Sequence, residues 1–260
     1  MSEYVKVNRN GPIFEVILDR PKANAIDELT SQAMSKAFVE FRDTPEFRVA
    51  ILTGGGERFF SAGWDLKAAA DGEDFESNYG EGGFGGFCEL PNLNKPVIVA
   101  VNGMAVGGGF ELALAADLVV ASDTASFWLG EIFVGVIPDA STIRLPRMLP
   151  KLLANELLLT GRRLSAEEAQ SWGLVNAVTP QNELMDKARE YAKVIISAAP
   201  LAIGAIKELM NDTDGLSIND SFNHMRAGKS PIYTQVIESA DALEGPRAFS
   251  EKRDPVWQAK

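Results

Sequence analysis

The chain has 260 residues, is 46% hydrophobic and carries a formal net charge of −11. That charge argues against a nucleic-acid or anionic-membrane surface, since both need concentrated Lys and Arg, though a small anionic ligand needs only a local basic patch. With Cys88 as the sole cysteine no internal disulfide can form, the N-terminal MSEYVKVNRNG lacks the apolar core of a signal peptide, and no apolar run reaches membrane-span length; a soluble cytoplasmic protein is expected.

In chain order, FEVILDR (14–20) reads as a short strand ending in turn residues. Residues 30–43 read as a helix, with Met34, Phe38 and Phe41 on one face and Thr30 as its cap. VAILTGGG (49–56), KPVIVAVNG (95–103) and DLVVASD (117–123) are nearly continuous β-branched runs, the pattern of strands buried in a parallel sheet. A weak internal echo links two of them. VAILTGGG leads to SAGWDLKAAA and VIVAVNG leads to GGGFELALAA, each a strand, a Gly-rich turn, an acidic residue and a helix. Residues 71–89 are acidic, glycine-rich and aperiodic, as expected of a mobile loop or lid. Beyond residue 160 the chain turns helical, with a capping box expected at Ser165 in SAEE. Alternating strands and helices predict an α/β fold with a helical C-terminal part packed on it.

Several familiar motifs fail. GGFGGF and GGGF do not complete G-x-G-x-x-G, and AGKS (227–230) has Asn223 where a phosphate loop needs its upstream glycine. No G-x-S-x-G elbow is present. His224 is the only histidine, so neither a His-dependent triad nor a multi-His metal site is expected, and Cys88 lacks an evident base partner.

What remains is GGGFELALAA (107–116). Glycine allows positive φ and close backbone approach, and a helix N-terminus offers unpaired N–H groups to an oxyanion. Gly108 stands at that entrance and SAGWDL (61–66) is a second turn of the same type. Two N–H groups converging on a thioester oxygen would polarise an acyl group and stabilise an enolate. Glu111 follows in the helix, and Glu131 lies twenty residues on, among Trp128, Leu129, Ile132, Phe133 and Val134. Burial there would lift a carboxyl into a range useful for proton transfer, so the two could divide acid and base roles; spacing alone equally allows a dipole-favoured Glu111 and an exposed Glu131.

FFSAGWDL, KPVIVAVNGMAVGGGFELALAADLVVAS, EIFVGVIPD and AFSEKRDPVW together resemble the crotonase (enoyl-CoA hydratase/isomerase) superfamily over essentially the full chain. DRPKANAID, FSAGWDLKAAA and GGGFELALAAD are most similar to its carnitinyl-CoA dehydratase branch. The resemblance implies a crotonase fold of repeated ββα units with a helical C-terminal trimerisation region, divided here as an α/β core over 1–195 and an oligomerisation region over 196–260. It implies a homo-oligomer, a trimer or a hexamer of paired trimers, and an acyl-CoA lyase that hydrates or dehydrates a 2-enoyl thioester. No metal or redox cofactor is implied, CoA being part of the substrate. Trp64 and Gly108 would supply the oxyanion-hole N–H groups, and Glu111 and Glu131 the acid and base. Lys22, Ala23, Ala62, Asp65 and Leu66 would follow the CoA path, with Phe249 and Lys252 contacting CoA, across a subunit boundary if the assembly forms. The alternatives are a general enoyl-CoA hydratase, a Δ3,Δ2-enoyl-CoA isomerase, which needs one principal base, and a non-catalytic binding protein. Two departures from the family pattern fall at the acyl pocket: Gly130 stands where a proline is usual, and Ala140, Ser141 and Thr142 where a glycine pair is usual. Trp64, Phe84, Phe87, Phe127 and Trp128, with the acidic residues of 71–81, are expected near the acyl end or its lid, a setting suited to a cationic acyl chain.

Overall fold

The structure is a computed structural model that describes residues 3–260. The β-branched runs become Ile13–Leu18, Val49–Gly54, Val97–Val101 and Leu118–Ser122, side by side and parallel. Val5–Asn10 closes one edge antiparallel to Ile13–Leu18, and Ala177–Thr179 the other edge parallel to Leu118–Ser122, giving a six-stranded sheet. Side chains alternate across a strand, so each run feeds two cores. Leu52, Val99, Val101 and Ala121 pack with Met34, Phe38 and Phe41 of helix Glu28–Asp43. Val49, Ile51, Ile98 and Val120 pack with Leu184, Ala188 and Ala192 of helix Leu184–Ser197. Both faces are covered, which is why the runs show no polar alternation.

A second sheet sets the site. Phe59–Ser61, Met104–Val106 and Ser126–Trp128 pair in parallel, with Leu164–Ser165 antiparallel at the edge. Each of the three strands follows a strand of the large sheet, and the first two lead into helices Leu66–Ala70 and Gly108–Ala115. This strand–strand–helix repeat is the internal echo of the sequence.

Two local expectations need correction, and one stretch left unassigned proves helical. Helix Glu28–Asp43 starts two residues before 30, because the Asp27 carboxylate accepts the Thr30 N–H over 2.8 Å; Thr30 itself is buried. The second half of 71–89 is built into the core: Ser31 Oγ accepts the Gly85 N–H, Ser35 Oγ accepts the Gly82 N–H, and Phe87 stacks on Phe38 at 4.7 Å. Gly86 permits this, since a Cβ there would come within 2.4 Å of the Met34–Ser35 backbone. Residues 139–160, for which the sequence reading assigned no element, form helices Asp139–Met148 and Lys151–Thr160.

Ser165 caps helix Ala166–Ser171 by accepting the Glu168 N–H at 3.2 Å, while the Glu168 carboxylate pairs with Arg162 instead of completing the box. The expected division at 195/196 falls in the last turn of Leu184–Ser197; four further helices, Pro200–Asp212, Ile218–Arg226, Pro231–Glu238 and Ala240–Glu251, follow it. No single helix among the described residues is long and apolar enough to cross a membrane.

Candidate active site

The three successive glycines face three different neighbours. A Cβ on Gly107 would lie 2.6 Å from Glu131 Oε1, one on Gly108 2.4 Å from the Phe84 ring, and one on Gly109 2.3 Å from the Ser61 carbonyl oxygen. Gly107 is the N-cap of helix Gly108–Ala115, at φ 55° and ψ −124°, a conformation closed to residues with a Cβ. Its N–H donates to the Trp128 carbonyl at 2.8 Å, tying the helix start to the second sheet. Gly63, at φ 74°, brings the other turn against it: a Cβ at 63 would sit 2.6 Å from Gly108 N and from the Val106 carbonyl. Backbone therefore touches backbone where Gly63 and Gly108 meet, at a helix start whose first N–H groups have no intrahelical acceptor.

Glu111 is one turn into that helix and 7% exposed. Burial pushes its carboxyl up to about 7; the Ser141 N–H, donated to Oε1 at 2.8 Å, opposes the shift, and the charges of Asp139 and Glu131 add to it. Glu131 opens the short turn Glu131–Phe133. Burial raises its carboxyl too, its own backbone N–H pulls it down, and Asp139 adds a further rise. Its Oε2 is buried and has no hydrogen-bond partner within the protein.

Both carboxylates line a cavity of about 210 Å³, as do Trp64, Gly108, Ala62 and Leu66. The other expected positions lie outside it. Asp65 caps helix Leu66–Ala70 through the Lys67 N–H and takes Arg20 at 2.7 Å, while Arg20 also holds Asp27 at 2.8 Å; this clasp fixes the strand Gly63–Trp64 against Ala25–Ile26. Ala23 contributes its carbonyl to the Ala62 N–H, and Lys22 is exposed. Phe249, 87% exposed, and Lys252 belong to the end of helix Ala240–Glu251, away from the cavity lining of the single chain. Among the aromatics, Trp64, Phe84 and Trp128 line the cavity, but Phe87 and Phe127 do not: Phe127 is a core residue packed on Phe110 at 4.9 Å, as Phe87 is on Phe38.

Sequence reasoning missed Gly63, Phe75 and Tyr79. The acidic stretch hid the two rings, which have no period to mark them. Both departures noted above do touch the site. Ser141 bonds Glu111, and Gly130 makes room for Trp128, whose ring would be 2.7 Å from a Cβ at 130. Burial pushes the Cys88 thiol up to about 12, which disfavours its thiolate.

A helix N-terminus, two raised carboxyls and a sheet-framed cavity are parts that acid–base chemistry on an acyl group can use. The chain belongs to the enoyl-CoA hydratase/isomerase family, whose profile matches residues 8–260. It is 57% identical over 261 residues to the carnitinyl-CoA dehydratase of Salmonella paratyphi A, with both chains covered completely. The crystal structures of enoyl-CoA hydratases from Mycobacterium tuberculosis H37Rv and Mycobacterium marinum each align over the whole of both chains with a TM-score of 0.90 at 38% identity.

Proposed function

We propose that this chain is a hydro-lyase interconverting crotonobetainyl-CoA and carnitinyl-CoA. The observation that carries the hydro-lyase reading is the pair Glu111 and Glu131, both raised and both on the cavity whose edge is the glycine-rich helix start. The full-length likeness to a carnitinyl-CoA dehydratase supports the acyl group.

In the hydration direction the thioester oxygen accepts from the backbone N–H groups of Trp64 and Gly108. Ionised Glu111 takes a proton from water as its oxygen bonds to C3. The C2–C3 π electrons move onto the thioester as an enolate, which the two N–H groups stabilise. Protonated Glu131 then delivers its proton to C2. Dehydration reverses each step. An isomerase would need one principal base; two raised carboxyls favour water addition.

The protein works as a homo-oligomer in the cytoplasm in this reading. Ile218, Ile237, Leu243 and Phe249 on the C-terminal helices are 62–87% exposed in the single chain, a surface suited to burial between copies. Turnover of a panel of 2-enoyl-CoA thioesters tests the assignment. Hydration of crotonobetainyl-CoA with higher kcat/KM than crotonyl-CoA is expected. The reverse preference would return the chain to general enoyl-CoA hydration.

A further inference from the structure

Two edge-to-face ring pairs stand in the cavity wall. Trp64 and Phe75 have centroids 5.5 Å apart at 86°, and Tyr79 and Phe84 5.4 Å apart at 82°. Phe84 also lies against Gly108, so the rings begin beside the proposed thioester oxygen position. Carboxylates surround them. Glu73 accepts the Trp64 indole N–H at 3.0 Å, and Glu89 and Asp139 line the same cavity. The Tyr79 phenol is pushed up to about 12 by burial first, then by Glu73, Glu28 and Asp74. Among the described residues no Lys or Arg lines this cavity, Arg144 being turned to the carbonyl of Cys88 at 2.8 Å.

An anionic acyl end would meet these carboxylates unscreened. A plain alkyl end would fill the ring wall but leave the negative charge without a counter-ion. A primary ammonium would seek hydrogen-bond acceptors, and most of this wall is carbon. A quaternary ammonium matches the whole: it has no N–H to satisfy, it binds to aromatic faces, and it offsets the charge.

We propose that Trp64, Phe75, Tyr79 and Phe84, with Glu73 braced behind, form a cage for a trimethylammonium group at the end of the acyl chain. The proposal rests on the acyl-CoA reading of the same cavity. In a carnitine-type acyl group one methylene separates the ammonium nitrogen from C3, roughly 2.5 Å across two single bonds. The cage must then begin next to the reacting centre, and Phe84 on Gly108 meets that requirement.

The test compares two unreactive thioesters by calorimetry, 4-(trimethylammonio)butanoyl-CoA and its carbon isostere 5,5-dimethylhexanoyl-CoA. They share size and shape and differ in charge. The wild type is expected to bind the ammonium thioester about tenfold more tightly, the scale of one or two cation–π contacts. The double variant Tyr79→Leu with Phe84→Leu keeps apolar volume but removes two π faces, and is expected to erase most of that ratio. Phe75→Leu, at a ring 40% exposed, gives the same readout in smaller measure should the double variant fail to fold. Equal affinities in the wild type, or a ratio unmoved by the variants, would overturn the cage. Binding of neither thioester would overturn the acyl-CoA reading together with the cage. A selective cage in an enzyme that cannot hydrate crotonobetainyl-CoA would overturn only the proposed reaction.

Discussion

The Ser141 N–H donates to Glu111 Oε1 at 2.8 Å, joining the first turn of helix Asp139–Met148 to the buried carboxyl of helix Gly108–Ala115. The bond favours the ionised form and works against burial. The balance leaves the carboxyl at about 7, where it can both hold and release a proton under neutral conditions.

That balance has a cost in stability with a definite sign. Burial puts the folded-state pKa of Glu111 above its unfolded value, so the folded chain binds this proton more tightly. The resulting stabilisation is complete below the unfolded value and is lost as pH rises through about 7. Glu111→Gln should therefore raise Tm at about pH 8, by up to about 3 kcal/mol of stability, and the gain should shrink toward about pH 5. Equal melting of the two proteins at both pH values would contradict the burial of an ionisable Glu111.

The pH dependence of turnover follows from the same group. The kcat/KM for hydration should fall on the acid side with a limb near 7, as Glu111 takes up its proton. Glu111→Gln and Glu131→Gln should each lower kcat by about 10²–10⁴ while thioester binding persists, the usual scale for a positioned acid or base. Near wild-type kcat in either variant would remove that residue from the mechanism.

Two of the three successive glycines should fail differently. Gly107→Ala pushes on Glu131 Oε1 and strains a backbone held at φ 55°, so it should cost about a hundredfold in kcat, the effect of a misplaced reacting group, together with some stability. Gly109→Ala pushes on the Ser61 carbonyl, a backbone atom of the second sheet, and should show first as a loss of about 1–3 kcal/mol in denaturant unfolding. Initial rates of the folded variants, set beside their unfolding, should separate them, with the large loss of kcat confined to Gly107→Ala; equal losses of kcat would mean the two glycines share one role.

Assembly is checked by light scattering. The mass should exceed the 28.1 kDa of one chain, and Leu243→Glu with Phe249→Glu should move it toward that value. A wild type that runs only as a single chain at micromolar concentration would end the oligomer proposal.

Much of the fold was legible because the large sheet is buried on both faces, which leaves unbroken runs such as 49–54 and 97–101 in plain view. Glu111 and Glu131, which the structure brings to one cavity, were legible as candidates because carboxylates are conspicuous in apolar surroundings. The helix start at Asp27 was not, since a cap is a geometric role that Asp27 and Thr30 could each fill. Helices 139–148 and 151–160 hid behind Pro138, Pro146 and Pro150, which read as breaks in a sequence. Phe75 and Phe87 sit in the same aperiodic stretch, and only the fold separates them: glycine packing carries Phe87 inward onto Phe38 and leaves Phe75 at the cavity.

The contact of Gly63 with Gly108 divides the site into two kinds of inheritance. The oxyanion donors proposed here are main-chain groups, which among replacements only proline can delete, and the glycines around them tolerate almost no replacement at all. Of the rings proposed to meet the acyl end, Phe75 and Tyr79 lie in a connecting stretch without regular structure, where insertions and substitutions are borne more easily. Such a scaffold can be rewritten for a new acyl group by editing one loop, with the enolate chemistry carried through intact.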